Sequence, residues 1–198
     1  MLAAAGCGGT EPDAAGVPAP PPIARELPER FGFGQPAAHD EIAALDIDVR
    51  PDGTGLPPGR GTAAEGAPIY ATQCAACHGF AGEGGIGEPL VGAEPRGLPP
   101  FGPAYEQWRG DRRDVRLTIG NYWPYATTLW DYINRAMPVA EPGSLEPNEV
   151  YALVAWLLSK NGIIAEDAVM DQKTLPQVVM PARDRFVPDD RRGGGEVR

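Results

Sequence analysis

The motif CAACHG, residues 74–79, constrains this chain more than any other feature of its sequence. Two cysteines separated by two residues and followed by a histidine form the attachment signature of c-type haem. One helical turn places both thiols along one edge of a porphyrin, where they can form thioether bonds. The next side chain then directs its imidazole at the iron. The motif therefore predicts one covalent haem c, held by Cys74, Cys77 and His78.

Two other uses of a CxxCH motif are zinc binding and dithiol redox chemistry. A structural zinc site takes four ligands, and outside the motif the chain offers only Cys7 and His39, both far away in sequence. A redox dithiol is typical of a βαβ pattern, and the sequence shows no such pattern. Both alternatives are therefore weaker than haem attachment.

Length and charge restrict the function classes. The 198 residues are enough for one or at most two domains. A net charge of −10 argues against nucleic-acid binding, which requires basic patches. Three cysteines cannot form a disulfide framework once the motif uses two of them. Because haem is attached to CxxCH outside the cytoplasm, we expect an exported, periplasmic protein.

The N-terminal stretch MLAAAGC resembles a bacterial lipoprotein cleavage site, in which Cys7 would be the lipidated residue. The alternative is an incidental cysteine in a tail. Residues 8–30 are rich in Gly, Pro and Ala, which is typical of a flexible linker. We therefore interpret residues 1–30 as a signal remnant with a lipobox, followed by a tether to a membrane surface.

Residues 31–61 contain too much proline and glycine for one regular element, although residues 41–45 could form one helical turn. A solvated linker has no use for the apolar residues that this segment carries: Phe31, Phe33, Ile42, Leu45, Ile47, Val49 and Leu56. We predict an extended segment that wraps a partner protein. The alternative is that it folds back over the core of this chain.

The remaining pattern predicts an all-α domain over residues 62–165. Helices are expected at the CAACH motif, at residues 127–137 and at residues 147–162, the last with Pro147 at its start and Gly162 just past its end. The glycine-rich stretch 79–102 is expected to be a loop around the haem. Residues 166–198 are expected to form an irregular C-terminal tail.

A haem iron in a transfer protein usually has a second protein ligand. Elimination leaves methionines, since the other histidine, His39, precedes the core. Met137 ends a predicted helix and precedes a proline, so it is the favoured ligand; Met180 is the main alternative, and a His/Met pair would raise the reduction potential. Nearby aromatic residues, including Trp123 and Tyr125, could pack on the porphyrin, bond its propionates or contact a partner.

The pattern GxxxYxxxCxxCHG, with a methionine before a terminal helix, resembles class I cytochrome c. This resemblance implies that the first and last helices cross, with Gly66 and Tyr70 meeting the last helix near Tyr151 and Trp156. It also implies that the carbonyl of Pro89 accepts a hydrogen bond from the ring of His78.

Longer phrases resemble a narrower family: FGFGQPAAHDEIAALDIDVRPDGTGLPPG, GNYWPYATTLWDYINRAMP and PGSLEPNEVYALVAWLL. They are similar to the cytochrome c subunits of bacterial sulfite dehydrogenases, including the sulfane dehydrogenase of the Sox system. The resemblance implies an electron-transfer subunit without catalytic residues of its own. It would accept electrons singly from a molybdenum-cofactor subunit and pass them to a downstream cytochrome c or oxidase.

Two other functions compete with this interpretation. One is a free, membrane-tethered carrier or the cytochrome subunit of another periplasmic dehydrogenase, which would not need the segment 31–61. The other is a haem enzyme such as a peroxidase, which the single CxxCH motif and a methionine ligand disfavour.

Overall fold

The computed structural model describes residues 31–92, 95 and 98–186. Cys7, the predicted linker 8–30 and the last residues of the predicted tail lie outside this described part. The chain divides into two compact units, residues 1–39 and 40–198. In the described part of the first unit, the rings of Phe31 and Phe33 stack with their centroids 6.0 Å apart.

The described residues are mostly helical, which confirms the all-α prediction. The helices are α1 (His39–Leu45), α2 (Ala63–Gln73), α3 (Ala75–His78), α4 (Pro103–Asp111), α5 (Ala126–Ala136) and α6 (Pro147–Lys160). Two three-residue strands, β1 (Arg60–Thr62) and β2 (Val169–Asp171), pair antiparallel, and 3₁₀ turns span Leu175–Gln177 and Arg183–Arg185. None of these helices has the length and apolar character needed to cross a bilayer.

Helices α2 and α6 cross at close range, as the resemblance implied. A Cβ on Gly66 would lie 2.0 Å from the carbonyl oxygen of Ala152, so only glycine permits this approach. One turn further along α2, the ring of Tyr70 stacks on Trp156 with centroids 3.9 Å apart. The hydroxyl of Tyr151, which is adjacent to Ala152 in α6, donates to the carbonyl of Pro57 at 3.0 Å.

Helix α6 forms the centre of the core because its residues 150–158 are all buried. Helix α5 packs against it through a single apolar face that includes Leu129 and Ile133. The predicted helices 127–137 and 147–162 agree with α5 and α6 to within two residues at each end. These two helices provide the apolar wall on which the site is built.

The segment predicted over residues 31–61 has two parts. All residues from 31 to 48 are exposed, including every residue of α1. From residue 49 the chain joins the core: Val49 and Leu56 are buried, and the amide of Val49 donates to Asp131 Oδ1 at 2.8 Å. The second part is therefore integrated in the cytochrome core rather than available to wrap a partner.

The predicted tail also differs from the structure in its described part, residues 166–186. Strand β2 pairs with β1, and Met170, Leu175 and Met180 are each at most 5% exposed within the core. These apolar residues are irregularly spaced, so they produce no helical or strand periodicity in the sequence. The core therefore extends beyond the boundary predicted at residue 165.

Candidate cofactor site

A cavity of about 660 Å³ opens beside the CAACH motif. Its lining is almost wholly apolar and includes Leu129 and Ile133 from α5 and Leu153 and Leu157 from α6. This volume lies within the usual range for cofactor pockets, about 300–1,000 Å³. The cavity therefore suits a large, flat and mostly apolar group.

The CAACH motif forms one side of this cavity. Helix α2 ends at Gln73, and its C-cap, Cys74, leads directly into α3. The amide of His78 donates to the carbonyl of Cys74 at 3.0 Å. This single turn brings Cys74, Cys77 and His78 to the cavity lining. The hydroxyl of Tyr70 donates to the carbonyl of Gly79 at 2.9 Å and secures the end of the turn.

The ring of His78 is oriented by the backbone. Its Nδ1 lies 2.7 Å from the carbonyl oxygen of Glu88. A carbonyl can only accept, so Nδ1 carries the proton and Nε2 is left with a lone pair for a metal. The prediction that the carbonyl of Pro89 accepts this hydrogen bond is therefore wrong by one residue. The chain just before the proline places the carbonyl of Glu88 against the ring instead. Pro89 itself lines the cavity.

Among the candidate second ligands, the structure brings only Met137 to the cavity with His78. Met137 follows the last residue of α5, and the loop beyond it, residues 138–140, also lines the cavity. Met180 and Met170 are buried in the core and do not line it. His39 lies on the exposed segment at the start of α1.

Of the two aromatic residues predicted at the cofactor, one lines the cavity and the other does not. Trp123 lines the cavity, and its indole N–H donates to Thr128 Oγ1 at 3.1 Å. Tyr125 does not line it, because Tyr125 is the N-cap of α5 and its ring lies 5.6 Å from the guanidinium of Arg183. Tyr122 and Tyr132, from the same aromatic run, do line the cavity.

Two positions at the site were not singled out from the sequence. Gly87 lies so close to the imidazole that a Cβ there would be 2.8 Å from His78 Cε1. Glu88 provides the carbonyl that orients the ring. Gly87 ends a glycine-rich stretch and Glu88 follows it. Such a stretch predicts a loop but not the path of its backbone. Only the glycine content of residues 82–87 signals a close backbone approach.

The donor set fits haem and fits the alternatives poorly. Burial raises the pKa of the Cys74 thiol to about 11, with a further contribution from Cys77. Redox-active CxxC cysteines have lowered thiol pKa values instead. Within the described residues, no three His, Cys, Asp or Glu side chains are grouped to hold a metal ion. A cavity with two thiols, an oriented imidazole and a thioether on apolar walls suits a covalently attached haem.

This combination of a helical core, a CxxCH turn and an apolar cavity defines the class of c-type cytochromes. The family model for cytochrome c matches residues 63–161, half of the chain. The chain belongs to the cytochrome c family, whose members bind haem c covalently. The class predicted from the sequence is thereby confirmed.

The narrower resemblance is also confirmed by a solved structure. The chain is similar to a chain in the crystal structure of the sulfane dehydrogenase SoxCD from Paracoccus pantotrophus, with 37% sequence identity and a TM-score of 0.66. The similarity covers 82% of this chain and 74% of that one. Among curated protein sequences, none matches the chain.

Proposed function

We propose that this cytochrome is the electron-transfer subunit of a molybdenum-dependent sulfite or sulfane dehydrogenase. One observation carries the proposal: Cys74, Cys77, His78 and Met137 line one apolar cavity, in a chain 37% identical to a chain of a sulfane dehydrogenase structure. The catalytic oxidation would then occur on a partner subunit, and this chain would carry the electrons.

Each residue of the site has a role in this proposal. The thiols of Cys74 and Cys77 would attach the haem covalently, and His78 Nε2 and the Met137 sulfur would hold its iron. When bound, haem c supplies a one-electron Fe(III)/Fe(II) couple. Two protein ligands leave no iron position for a substrate, which favours transfer over catalysis.

The surrounding residues adapt the site to rapid transfer. The Glu88 carbonyl fixes the His78 ring, and Leu153 and Leu157 exclude water from the cavity. A thioether ligand favours Fe(II) and raises the reduction potential. Oxidation of sulfite to sulfate releases two electrons, so one CxxCH-bound haem would accept and release an electron twice per turnover.

The ligand assignment is tested by a matched pair of variants. Met137→Ala should abolish the near-infrared Fe–S charge-transfer band and lower the reduction potential, since axial ligands set haem potentials over a range of about 0.8 V. Met180→Ala, which removes a methionine from the core, should keep the band. The assignment is wrong if the band survives the first change and disappears with the second.

The dehydrogenase role is tested by reconstitution with the molybdenum-cofactor subunit of a sulfite or sulfane dehydrogenase. Sulfite or a sulfane donor should reduce the cytochrome only when that subunit is present. Ascorbate should reduce it in either case. If ascorbate reduces it but no sulfur donor does with the subunit present, the chain is a free carrier or serves another dehydrogenase.

We also propose a periplasmic location with a lipid anchor at Cys7, on the basis of the lipobox-like stretch before it. The exported protein should then sediment with membranes, and Cys7→Ser should release it to the soluble periplasmic fraction. An unmodified cysteine at this position in mass spectrometry of the mature protein would contradict the anchor.

A further inference from the structure

A second pocket, lined by arginines, lies beside the cofactor cavity and has a volume of about 460 Å³. The two share three lining residues, Glu88, Leu117 and Tyr122. Arg109, Arg113 and Arg116 provide the charged wall of the second pocket. The basic pocket and the cofactor cavity are therefore adjacent and meet at these shared residues.

The charge of this pocket is opposite to that of the chain. The chain carries a net charge of −10, whereas the described residues that line the pocket include three arginines and one carboxylate, Glu88. Asp111 and Asp114 belong to the same segment but do not line the pocket. A concave surface with one sign of charge concentrates ions of the opposite sign and accelerates their association. We therefore expect the pocket to attract anions, although the protein as a whole is acidic.

The arginines are arranged to bind an external partner. Arg109 is held in place because its Nη1 donates to the carbonyls of Arg112 and Val115. The side chains of Arg113 and Arg116 are exposed and make no ion pair or hydrogen bond with the described part of the chain. Free guanidinium groups bind carboxylates through two parallel hydrogen bonds. The fitting ligand is consequently a carboxylate-bearing surface.

The pocket is also close to the candidate iron ligand. Glu88 lines it, and the carbonyl of the same residue accepts the hydrogen bond from His78 Nδ1 at 2.7 Å. A partner seated against Glu88 would be separated from the imidazole by one residue and one hydrogen bond. Because electron transfer slows steeply with distance, this edge offers a short exit route.

We propose, on the basis of the electron-transfer function above, that this pocket is the docking surface for an electron acceptor protein with an acidic contact face. The exposed segment 31–48 carries acidic residues and no arginine or lysine. It would repel such a face, so the acceptor docks at the pocket, leaving that segment to another partner.

Charged inorganic oxidants test this assignment without the natural acceptor. The reduced holoprotein is mixed with hexacyanoferrate(III), which takes one electron and becomes hexacyanoferrate(II), or with the cationic tris(phenanthroline)cobalt(III). The net charge of −10 alone predicts that salt accelerates oxidation by the anion, because it screens repulsion. Docking at the pocket predicts the reverse, a rate for the anion that falls as salt is added.

Two double variants with the same net charge complete the test. Arg113→Gln/Arg116→Gln should slow oxidation by the anionic probe at low salt, by roughly tenfold, the lower end of what electrostatic steering provides. Arg50→Gln/Arg60→Gln, at exposed arginines that do not line the pocket, should leave the rate near that of the unchanged protein. The cationic probe should respond in the opposite direction.

The docking proposal is overturned if both double variants respond equally or if salt accelerates the anionic reaction. It is also wrong if the pocket variant shifts the reduction potential but keeps the salt dependence, because the arginines would then neutralise the haem carboxylates. A protein that neither probe oxidises would instead contradict the electron-transfer function itself.

Discussion

Gly66 and Ala152 hold helices α2 and α6 at the closest approach that the backbone permits. A Cβ on Gly66 would lie 2.0 Å from the Ala152 carbonyl oxygen and 2.5 Å from its carbonyl carbon. These are backbone atoms in the buried stretch 150–158 of α6, so they cannot move aside as the end of a flexible side chain would. The position of α2, and with it the start of the CAACH turn, depends on this contact.

Gly66→Ala should therefore force the two helices apart and destabilise the holoprotein. Overpacking of a close contact typically costs about 1–3 kcal/mol, and we expect at least this loss in urea denaturation. Gly110→Ala is the matched control, since a Cβ there meets nothing within 4 Å in helix α4. The control should be neutral or more stable by about 0.5–1 kcal/mol, because alanine favours the helix. Equal effects of the two changes would contradict the close contact.

Helices α5 and α6 were predictable from the sequence, α5 from its apolar stripe and α6 from its long apolar run between Pro147 and Gly162. Helix α4 was not predicted. The contact at Gly66 was implied by the resemblance to class I cytochrome c, which also placed Tyr70 beside Trp156. By contrast, the core residues Val49, Leu56, Met170 and Leu175 lie in irregular segments, where local pattern does not show which side chains are buried. Their burial depends on long-range contacts such as the bond from Val49 to Asp131.

The candidate site likewise combines residues that the sequence identifies with contacts that only the folded chain creates. The CxxCH motif and Met137 could be found from chemistry and spacing, since few residue types bind haem iron. The Glu88 carbonyl could not, because any residue offers a carbonyl and only the path of the loop selects one. Tyr125 and Trp123 lie in the same aromatic run of the sequence, which predicts the same role for both. In the structure the ring of Tyr125, at the start of α5, lies against Arg183 instead.

Gly87→Ala should disturb the ring of His78 without changing a ligand. The added Cβ would lie 2.8 Å from Cε1 and 2.9 Å from Nδ1, so the ring must turn away from the Glu88 carbonyl. That hydrogen bond makes the imidazole a stronger donor to the iron. Its loss should raise the reduction potential, which is measured by potentiometry. Phe80→Ala, at an 80% exposed side chain that does not line the cavity, should leave the potential unchanged.

Tyr70→Phe should change the stability of the protein at alkaline pH. Burial raises the pKa of Tyr70 to about 12, whereas an unfolded tyrosine titrates near 10. The folded state thus holds this proton more tightly, so its contribution to stability is complete below about pH 10 and is lost as the pH rises towards 12. Phenylalanine has no such proton, and the variant should lose less stability over that interval.

Urea denaturation between pH 8 and pH 12 measures this difference. Some alkaline loss should remain in Tyr70→Phe, because burial also raises the pKa of Tyr151 to about 12. Below pH 10 the variant should be less stable by about 1 kcal/mol, since the hydroxyl bond to Gly79 is absent. Tyr132→Phe, at a 46% exposed ring, is the control. Identical alkaline profiles for Tyr70→Phe and the unchanged protein would contradict this account.

The exposed part of the segment 31–61 should bind the catalytic partner. The whole of α1 is exposed, and five apolar residues of this part are at least half exposed: Phe31, Phe33, Ile42, Leu45 and Ile47. Apolar groups that remain in solvent at this density mark an interaction surface. We expect Ile42→Ser/Leu45→Ser/Ile47→Ser to weaken association with the molybdenum subunit at least tenfold, measured by co-purification and titration. The haem spectrum should not change.

The same triple variant separates docking from folding. Exposed positions should tolerate the change within about 0.5 kcal/mol, whereas deletion through residue 60 would also remove the core residues Val49 and Leu56. Val179→Ser removes a 72% exposed apolar side chain elsewhere and should leave partner binding intact. If the triple variant unfolds early but still binds the partner, residues 42–47 stabilise the cytochrome itself and are not its docking surface.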